Sequence, residues 1–175
     1  SAYGDYYVLA HGNGMVTVSD KKDGVESYAL PPQWTGVTVE QVAMSSDGTY
    51  LLLINGGAYQ AKGSVVDETA KVTDVAYIDA GSANTSGTTG AFVAVTKTGL
   101  VYEWTSAAAS IPAQKEIKNE DGSDIRIATA HQGNGFTIAV SASGYAYGWG
   151  AAAKGQLGIG TDSRNIDHTV NTGYS

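Results

Sequence analysis

The 175-residue sequence contains no cysteine, and only 10 lysine and arginine residues stand against 17 aspartates and glutamates. Without cysteine, the chain cannot form a disulfide framework, a cysteine-based zinc site, an iron–sulfur cluster or a thiol nucleophile. The formal net charge of −7 makes the chain a poor binder of phosphate, so we expect no nucleic acid among its partners. No run approaches the roughly 18 apolar residues that a membrane-spanning helix needs, so we expect no membrane insertion.

Charged residues make up only 15% of the chain, whereas glycine is frequent, with 23 residues. Long surface helices carry many lysines and glutamates, and this composition offers few of them. The composition therefore favours an all-β domain with many short strands and tight turns. For 175 residues, a single domain is expected.

Four segments of the sequence share one layout. An aromatic residue opens a short apolar strand, a glycine follows, and a second β-like strand comes after the glycine. The four pairs of aromatic residue and glycine are Tyr7 and Gly14, Tyr50 and Gly57, Phe92 and Gly99, and Phe136 and Gly144. Successive glycines lie 43, 42 and 45 residues apart. Because glycine readily adopts the positive φ of tight turns, each segment is predicted to form a β-hairpin.

A further strand is predicted before three of the hairpins, at 39–43, 72–76 and 125–128. The segment 81–90, rich in glycine, serine and threonine, is predicted to be a flexible surface loop. A repeat of this length, made only of strands and turns, is typical of a β-propeller, whose neighbouring blades bury each other's faces. We predict one propeller domain over 1–175, with approximate repeats 1–36, 37–71, 72–122 and 123–175.

The last repeat carries a more specific motif. It reads Gly-Tyr-Ala-Tyr-Gly-Trp-Gly over 144–150, then four residues, then Gly-Gln-Leu-Gly-Ile-Gly over 155–160. This spacing resembles the regulator of chromosome condensation repeat family, in which a strand ends in Trp-Gly and Gly-Gln-Leu-Gly-x-Gly follows. The resemblance is closest in 125–170. In 72–122 it rests on Gly99 and Trp104, and in 1–71 on the period alone.

The resemblance implies a β-propeller of the chromosome-condensation-regulator type. The family usually closes a ring of seven blades, and about four blades make only a partial ring or half-ring. An open arc leaves two blade faces and their sheet edges exposed, which is unstable unless they are covered. We therefore expect either further blades or a second copy of the chain, as a homodimer, to complete the ring, in preference to a closed ring of four blades.

Departures from the family pattern are also present. Ala152 stands where the family usually has Asn. The histidine that commonly precedes the hairpin strand is replaced in every repeat by an aromatic residue, which fills the volume without the same hydrogen bonds. The aromatic residues at these positions are Tyr7, Tyr50, Phe92 and Phe136.

No catalytic or metal-binding motif is found in the sequence, so we predict no enzyme, no catalytic or metal residues and no cofactor. The histidines, His11, His131 and His168, fall in different repeats and are interpreted as separate strand-end or loop residues. Glu103 and Asp74 are interpreted as solvated or turn-capping carboxylates. Glu103 directly precedes Trp104 in a strand and therefore points to the opposite face. The Asp-Gly turns in 20–26 and 119–124 lack the alternating carboxylates of an EF-hand calcium loop.

Three tryptophans could carry binding. Trp104 and Trp149 hold equivalent repeat positions, which predicts that they pack between blades. Trp34 lies outside the repeat pattern, on the proline-containing loop 31–36, and is our one candidate binding residue, as an exposed contact, with burial beneath the loop as the alternative.

We predict a non-catalytic binding module for protein–protein or cell-surface recognition, whose partner is another protein or a surface ligand. The resemblance is consistent with this function. The family includes bacterial surface proteins, exchange factors for small GTPases, and a propeller that inhibits β-lactamases. A composition rich in small residues and free of cysteine is typical of a secreted or surface-attached bacterial or phage protein, which predicts an extracellular or cell-surface location. The alternatives are a structural repeat segment of a larger adhesin, fibre or tail assembly, and a propeller hydrolase or lyase.

Overall fold

The computed structural model describes residues 1–20, 24–119, 121–151 and, as a strand, 166–172. In this part of the chain, sixteen strands form four antiparallel sheets, and each sheet contains four strands in sequence order. Sheet 1 contains β1 (Ala2–Tyr3), β2 (Tyr6–Ala10), β3 (Met15–Asp20) and β4 (Gly24–Ala29). Sheet 2 contains β5 (Gln41–Met44), β6 (Thr49–Ile54), β7 (Gly57–Lys62) and β8 (Val65–Val66).

The second half of the chain repeats this arrangement. Sheet 3 contains β9 (Val75–Ser82), β10 (Gly90–Thr96), β11 (Val101–Thr105) and β12 (Ala113–Lys115). Sheet 4 contains β13 (Ile127–Gln132), β14 (Phe136–Ser141), β15 (Ala146–Gly150) and β16 (Ile166–Thr172). The fold is therefore all-β, and one sheet lies within each repeat of the sequence. None of the described segments forms a helix with the length and hydrophobicity needed to cross a lipid bilayer.

The four predicted hairpins are present as β2–β3, β6–β7, β10–β11 and β14–β15. The turn between β6 and β7 shows why the sequence reverses direction there. Asn55 and Gly56 both have positive φ, 50° and 76°, which is the backbone geometry of a tight two-residue hairpin. The Gly-Gln-Leu-Gly motif at 155–160 and Ala152 lie outside the described residues.

Among the described residues, the core consists of three clusters, one between each pair of consecutive sheets. Strand β6 shows how this works, because all six of its residues are buried. Leu51 and Leu53 pack toward sheet 3, while Tyr50 and Leu52 pack toward sheet 1. Alternate residues of a strand point to opposite faces, so an inner sheet must be apolar on both.

The sheets form an open arc. Among the described residues, no core cluster joins sheet 4 to sheet 1. The two ends touch where the Tyr3 hydroxyl donates to the Asn134 side-chain oxygen. In β14, Ala139 packs toward sheet 3, so its neighbours Ile138 and Val140 point to the other face, where they are half-buried. The structure thus shows the partial ring of about four blades that the sequence predicts.

The structure corrects the predicted loop at 81–90. Gly81 and Ser82 belong to β9 and pair with Ala91 and Gly90 of β10, so only 83–89 form the loop. Gly81 is required by close packing rather than by flexibility. A Cβ at this position would lie 2.7 Å from the Gln132 carbonyl oxygen of sheet 4. Strand β1 and the extension of β9 were not predicted, because two-residue strands and glycine-containing strand ends carry little pattern.

Equivalent hairpin glycines in sheets 3 and 4 differ in their surroundings, which gives a matched pair of variants. Gly99 (φ 89°) and Gly144 (φ 91°) both adopt a conformation that alanine disfavours. A Cβ on Gly99 would also lie 2.9 Å from the Cα of Arg126, directly before β13, whereas a Cβ on Gly144 would have no atom of the described residues within 4 Å. We expect Gly99→Ala to lower the free energy of unfolding by about 2 kcal/mol and Gly144→Ala by about 1 kcal/mol.

Urea unfolding of the two glycine variants tests this difference. Equal losses for Gly99→Ala and Gly144→Ala would contradict an open end at sheet 4, because they would mean that another surface packs on the Gly144 turn.

Candidate functional site

The loops between the first and second strands of the four sheets lie together at one end of the arc. These loops are 4–5, 45–48, 83–89 and 133–135, and we call this end the loop rim. Backbone hydrogen bonds connect successive loops. Ser46 N donates to the Gly81 carbonyl (3.1 Å), and Ser82 N donates to the Gly133 carbonyl (3.0 Å). The loop rim is therefore one continuous surface rather than a set of independent loops.

A cleft of about 310 Å³ lies between sheets 3 and 4 at the loop rim. It is lined by Trp149, whose ring packs toward sheet 3, by Trp104 and Phe136, and by the polar side chains of Glu103 and Gln132. Trp104 and Trp149 are almost fully buried, whereas Phe136 is half-buried. The cleft is thus an apolar recess with one carboxylate inside it, a common arrangement in ligand sites.

Glu103 is held by donors from sheet 4. Its Oε1 accepts hydrogen bonds from Thr137 Oγ1 (2.6 Å), Gln132 Nε2 (3.1 Å) and Trp149 Nε1 (3.0 Å). Its Oε2 lies 3.1 Å from the same indole nitrogen. The interpretation of Glu103 as a solvated or turn-capping carboxylate was wrong, because the face opposite Trp104 is covered by sheet 4. Asp74, by contrast, is exposed.

At the interface between sheets 2 and 3, a tryptophan again donates to the third strand of the preceding sheet, but the acceptor is neutral. Trp104 Nε1 donates to Gln60 Oε1 of sheet 2 at 3.0 Å. Trp104 and Trp149 each belong to a cluster between two sheets, which confirms their predicted packing role. Each tryptophan therefore ties its own sheet to the third strand of the preceding one.

A second polar group adjoins the cleft through Gln132. The backbone N–H of Gln132 donates to Asp79 Oδ2 (2.9 Å), and His131 Nδ1 lies 3.8 Å from the same oxygen. The Tyr77 hydroxyl lies 3.4 Å from His131 Nδ1, and the two rings meet edge to face. Burial raises the pKa of the Asp79 carboxyl and of the Tyr77 hydroxyl, because it disfavours their charged forms. No metal-binding group of three ligands occurs among the described residues.

The raised pKa of Asp79 predicts a stabilising substitution. Below the ordinary aspartate pKa, about 3.9, Asp79 is protonated in the folded and unfolded states alike. As the pH rises through the raised folded pKa, ionisation penalises the folded state, and the nearby His131 offsets this only in part. We expect Asp79→Asn, which keeps an acceptor for Gln132 N, to stabilise the protein at pH 7 and to leave it unchanged near pH 3.

Urea unfolding at both pH values measures the effect of Asp79→Asn. The control is Asp67→Asn, which alters an exposed carboxylate in a second cleft, between sheets 2 and 3. It should change the stability little at either pH. A loss of stability on Asp79→Asn at pH 7 would show that the Asp79 charge supports the fold.

The neighbouring cleft lies between sheets 2 and 3 and holds about 320 Å³. Asp47 lies at its edge, where it accepts hydrogen bonds from Ser106 Oγ (2.6 Å), Ser45 Oγ (2.8 Å) and Thr49 N (3.0 Å). Burial opposes ionisation of Asp47, but these hydrogen bonds outweigh it and lower the pKa of the carboxyl. Asp67 and Lys62 also line this cleft, so it already contains a cation.

The structure corrects the expectation that Trp34 is an exposed contact. Trp34 ends a single 3-10 turn (Pro32–Trp34) and is only 6% exposed. Its ring packs edge to face on Tyr59, with 4.6 Å between the ring centroids, inside the cluster between sheets 1 and 2. Proline at the start of the turn fixes the chain direction, and the apolar indole is then buried beneath the loop. We therefore leave Trp34 out of the candidate site.

The remaining sequence candidates are spread over the molecule. His11 lies in the turn between β2 and β3, where Nε2 is 2.8 Å from Thr17 Oγ1, far along the chain from His131. The His168 side chain and parts of both Asp-Gly turns lie outside the described residues. In the second turn, the Asp121 carboxylate accepts from Ser123 N at 2.9 Å, the local hydrogen bond of a turn.

Comparison with solved structures identifies the fold as a β-propeller. Human WBSCR16 matches 97% of this chain with a TM-score of 0.68 at 15% identity, and 51% of that protein is covered. Yeast RCC1 (Prp20), in its complex with Kap60, matches the whole chain with a TM-score of 0.54 at 13% identity, and 50% of that protein is covered. The propeller is therefore of the RCC1 type, as the sequence repeats predict.

A propeller of different function is also similar. Virginiamycin B lyase from Staphylococcus aureus matches 80% of the chain with a TM-score of 0.51 at 9% identity, and 46% of that protein is covered. At such identities the likeness shows the fold alone. The chain spans about half the length of these solved proteins. No protein-family model and no curated protein sequence matches the chain.

Proposed function

We propose that this propeller is a non-catalytic binding module that recognises a protein partner through its loop rim. The observation that carries the proposal is the cleft between sheets 3 and 4, where an apolar recess and a fixed carboxylate open among the linked loops of the rim. Function in a repeat scaffold is usually located in the loops that the scaffold positions. The net charge of −7 disfavours nucleic acid as the alternative partner.

Protein recognition is also what the similar structures suggest. Yeast RCC1 was solved in complex with Kap60, and another Prp20 structure was described together with its binding to Gsp1p and histones. Those partners belong to those proteins. What we transfer to this chain is the class of ligand, a protein surface, and the use of a propeller as a docking platform.

Photo-crosslinking tests where the partner binds. p-Benzoylphenylalanine is placed at Thr85 on the loop rim, at Thr98 on the opposite end, and at Leu9 on the outer face of sheet 1, all three exposed positions. The variants are incubated with extract and culture medium of the organism that encodes the chain. We expect one defined adduct from the Thr85 variant, which excess unmodified chain competes away.

The pattern of adducts separates the competing functions. Adducts from the Leu9 variant alone would overturn rim recognition and favour a structural repeat segment, which makes its contacts at the sheet faces. Equal adducts from the Thr85 and Thr98 variants would indicate contact without a specific surface.

We also propose that the protein acts outside the cell or on its surface. The support is compositional, since the chain lacks cysteine and is poor in lysine and arginine. Protease treatment of intact cells of the encoding organism, followed by detection of the chain with an antibody, tests this location. Removal of the signal from intact cells is expected, and its persistence until the cells are lysed would place the protein inside.

We further propose that a second copy of the chain covers the open face of sheet 4. Two copies supply eight blades, within the usual range of four to eight for propellers. Light scattering is expected to give twice the monomer mass of 18.0 kDa. Val140→Lys, on that face, should give a monomer, while Val65→Lys, 75% exposed on sheet 2, should leave the dimer intact. A monomeric wild-type chain would contradict this proposal and would mean that blades of a different chain cover the face.

A further inference from the structure

The cleft between sheets 3 and 4 has room for one side chain rather than for a folded element. Its volume of about 310 Å³ is at the lower end of the range for ligand pockets, roughly 300–1,000 Å³. Trp149 packs on this side of sheet 4, and the cleft surface is more apolar than polar, with Ala83 and Ala91 among its lining residues. Such a lining suits an alkyl chain that passes inward from the loop rim.

In the part of the chain that the structure describes, the cleft lining holds one carboxylate and no cation. Glu103 is the only formally charged side chain among the described residues that line the cleft. The donors that hold it, from Thr137, Gln132 and Trp149, are all neutral. The Lys115 ammonium lies 5.6 Å from the Trp149 ring centroid but is not among the lining residues.

The carboxylate also keeps acceptor capacity. Three donors converge on Glu103 Oε1. Among the described residues, Oε2 is approached by Trp149 Nε1 alone, at 3.1 Å, and it shares this donor with Oε1. A carboxylate offers about four lone-pair sites, two on each oxygen. A further donor can therefore bind Oε2 without displacing the bonds that connect sheets 3 and 4.

We propose that this cleft receives a cationic side chain, lysine or arginine, from the partner polypeptide, with its charge on Glu103 and its alkyl part against the cleft lining beside Trp149. The proposal rests on protein recognition at the loop rim and adds its chemistry. The neighbouring cleft between sheets 2 and 3 does not share this property, because it contains Lys62.

The test uses two small probes that differ by the terminal ammonium group of the side chain. N-acetyl-lysine amide and its uncharged counterpart N-acetyl-norleucine amide are titrated into the 175-residue chain, and the indole N–H signals are followed by ¹H–¹⁵N NMR. The Trp149 signal reports on the cleft, and the Trp34 signal, from the core between sheets 1 and 2, is the internal reference. We expect the lysine probe to move the Trp149 signal saturably, with little change from the norleucine probe.

Three variants connect the shift to the carboxylate. Glu103→Gln keeps an acceptor for the indole and removes the charge, so it should weaken lysine-probe binding about tenfold. Asp67→Asn, at the neighbouring cleft, should bind like the wild type. Thr137→Val keeps the Glu103 charge and removes one of its donors, so it should bind at least as well as the wild type. Raising the salt concentration should weaken the lysine probe alone.

Equal shifts from the two probes, or equal affinity of Glu103→Gln and the wild type, would overturn the proposal. If the Glu103 variant does not fold, the salt dependence and the Thr137 variant still decide the result. Failure here with retained crosslinks from the Thr85 position would mean that the partner binds the loop rim by other chemistry. If neither the Trp149 shift nor the Thr85 crosslinks are observed, recognition at the loop rim itself would be rejected.

Discussion

Phe92→Ala is expected to lower the free energy of unfolding by about 3–5 kcal/mol, the largest effect that we predict. The Phe92 ring is fully buried between sheets 2 and 3, 5.6 Å from the Trp104 ring centroid. Removing it leaves a cavity in the apolar cluster between these two sheets. Because each core cluster is shared by two consecutive sheets, the loss should also weaken the attachment of the sheets on either side. Urea unfolding, followed by tryptophan fluorescence, measures the change.

Phe136→Ala provides the control for this variant. Phe136 is the aromatic residue that opens the hairpin strand of the next repeat, but Thr137 pairs with Trp149 as Phe92 pairs with Trp104, so Phe136 lies on the other face. It is half-buried there, because no further sheet covers that side of sheet 4 among the described residues. At concentrations at which the chain is monomeric, we expect a loss of about 1 kcal/mol. Equal losses for the two variants under these conditions would mean that Phe136 is as deeply packed in the monomer as Phe92.

Glu103→Ala is expected to cost about 3 kcal/mol, because it leaves several donors without a partner. Trp149 and Thr137 are 5% and 2% exposed, so water cannot readily replace the lost acceptor. Glu103→Gln should recover most of the loss, since an amide oxygen can accept from the indole as Gln60 does at the preceding interface. Thermal and urea unfolding of the two variants provide the comparison.

Gln60→Ala is the matched variant at the preceding interface. It removes one acceptor from one indole donor, Trp104 Nε1, so we expect a smaller cost than for Glu103→Ala, about 1–2 kcal/mol. If Glu103→Ala were as stable as the wild type, the carboxylate would contribute to binding alone and not to the junction of sheets 3 and 4.

Glu103 therefore has two separable roles. Its oxygens act as acceptors for sheet 4, and this role requires no charge. Its negative charge faces the cleft, and the binding proposal depends on this second role. The Glu103→Gln variant separates the two roles, because it is expected to remain folded and to lose affinity for a cationic side chain.

Much of the fold was determined by the sequence alone. The recurring aromatic residue and glycine predicted the four hairpins, because a short apolar strand followed by a positive-φ glycine has few other structures available. The equivalent positions of Trp104 and Trp149 predicted their packing between blades, since a residue that recurs at one repeat position recurs in one environment. These are local or periodic properties, and a single sequence carries them.

The site was decided only by the tertiary structure. Alternation placed Glu103 on the face opposite Trp104, but only the packing of sheet 4 makes that face an acceptor for Trp149 and Gln132. A signal was present in the sequence, since Gln60 and Glu103 are polar residues within the third strands of two repeats. Their partners, however, lie more than 25 residues further along the chain.

The burial of Trp34 was also decided by the tertiary structure. Its loop position suggested an exposed ring, but the Tyr59 ring of sheet 2 provides an apolar surface that the loop sequence does not reveal. Whether a side chain is exposed depends on which distant surface the fold brings against it, and burial of an indole is favourable whenever such a surface exists. The sequence by itself determined the four hairpins and the repeat, and the contacts between sheets determined which residues form the cleft.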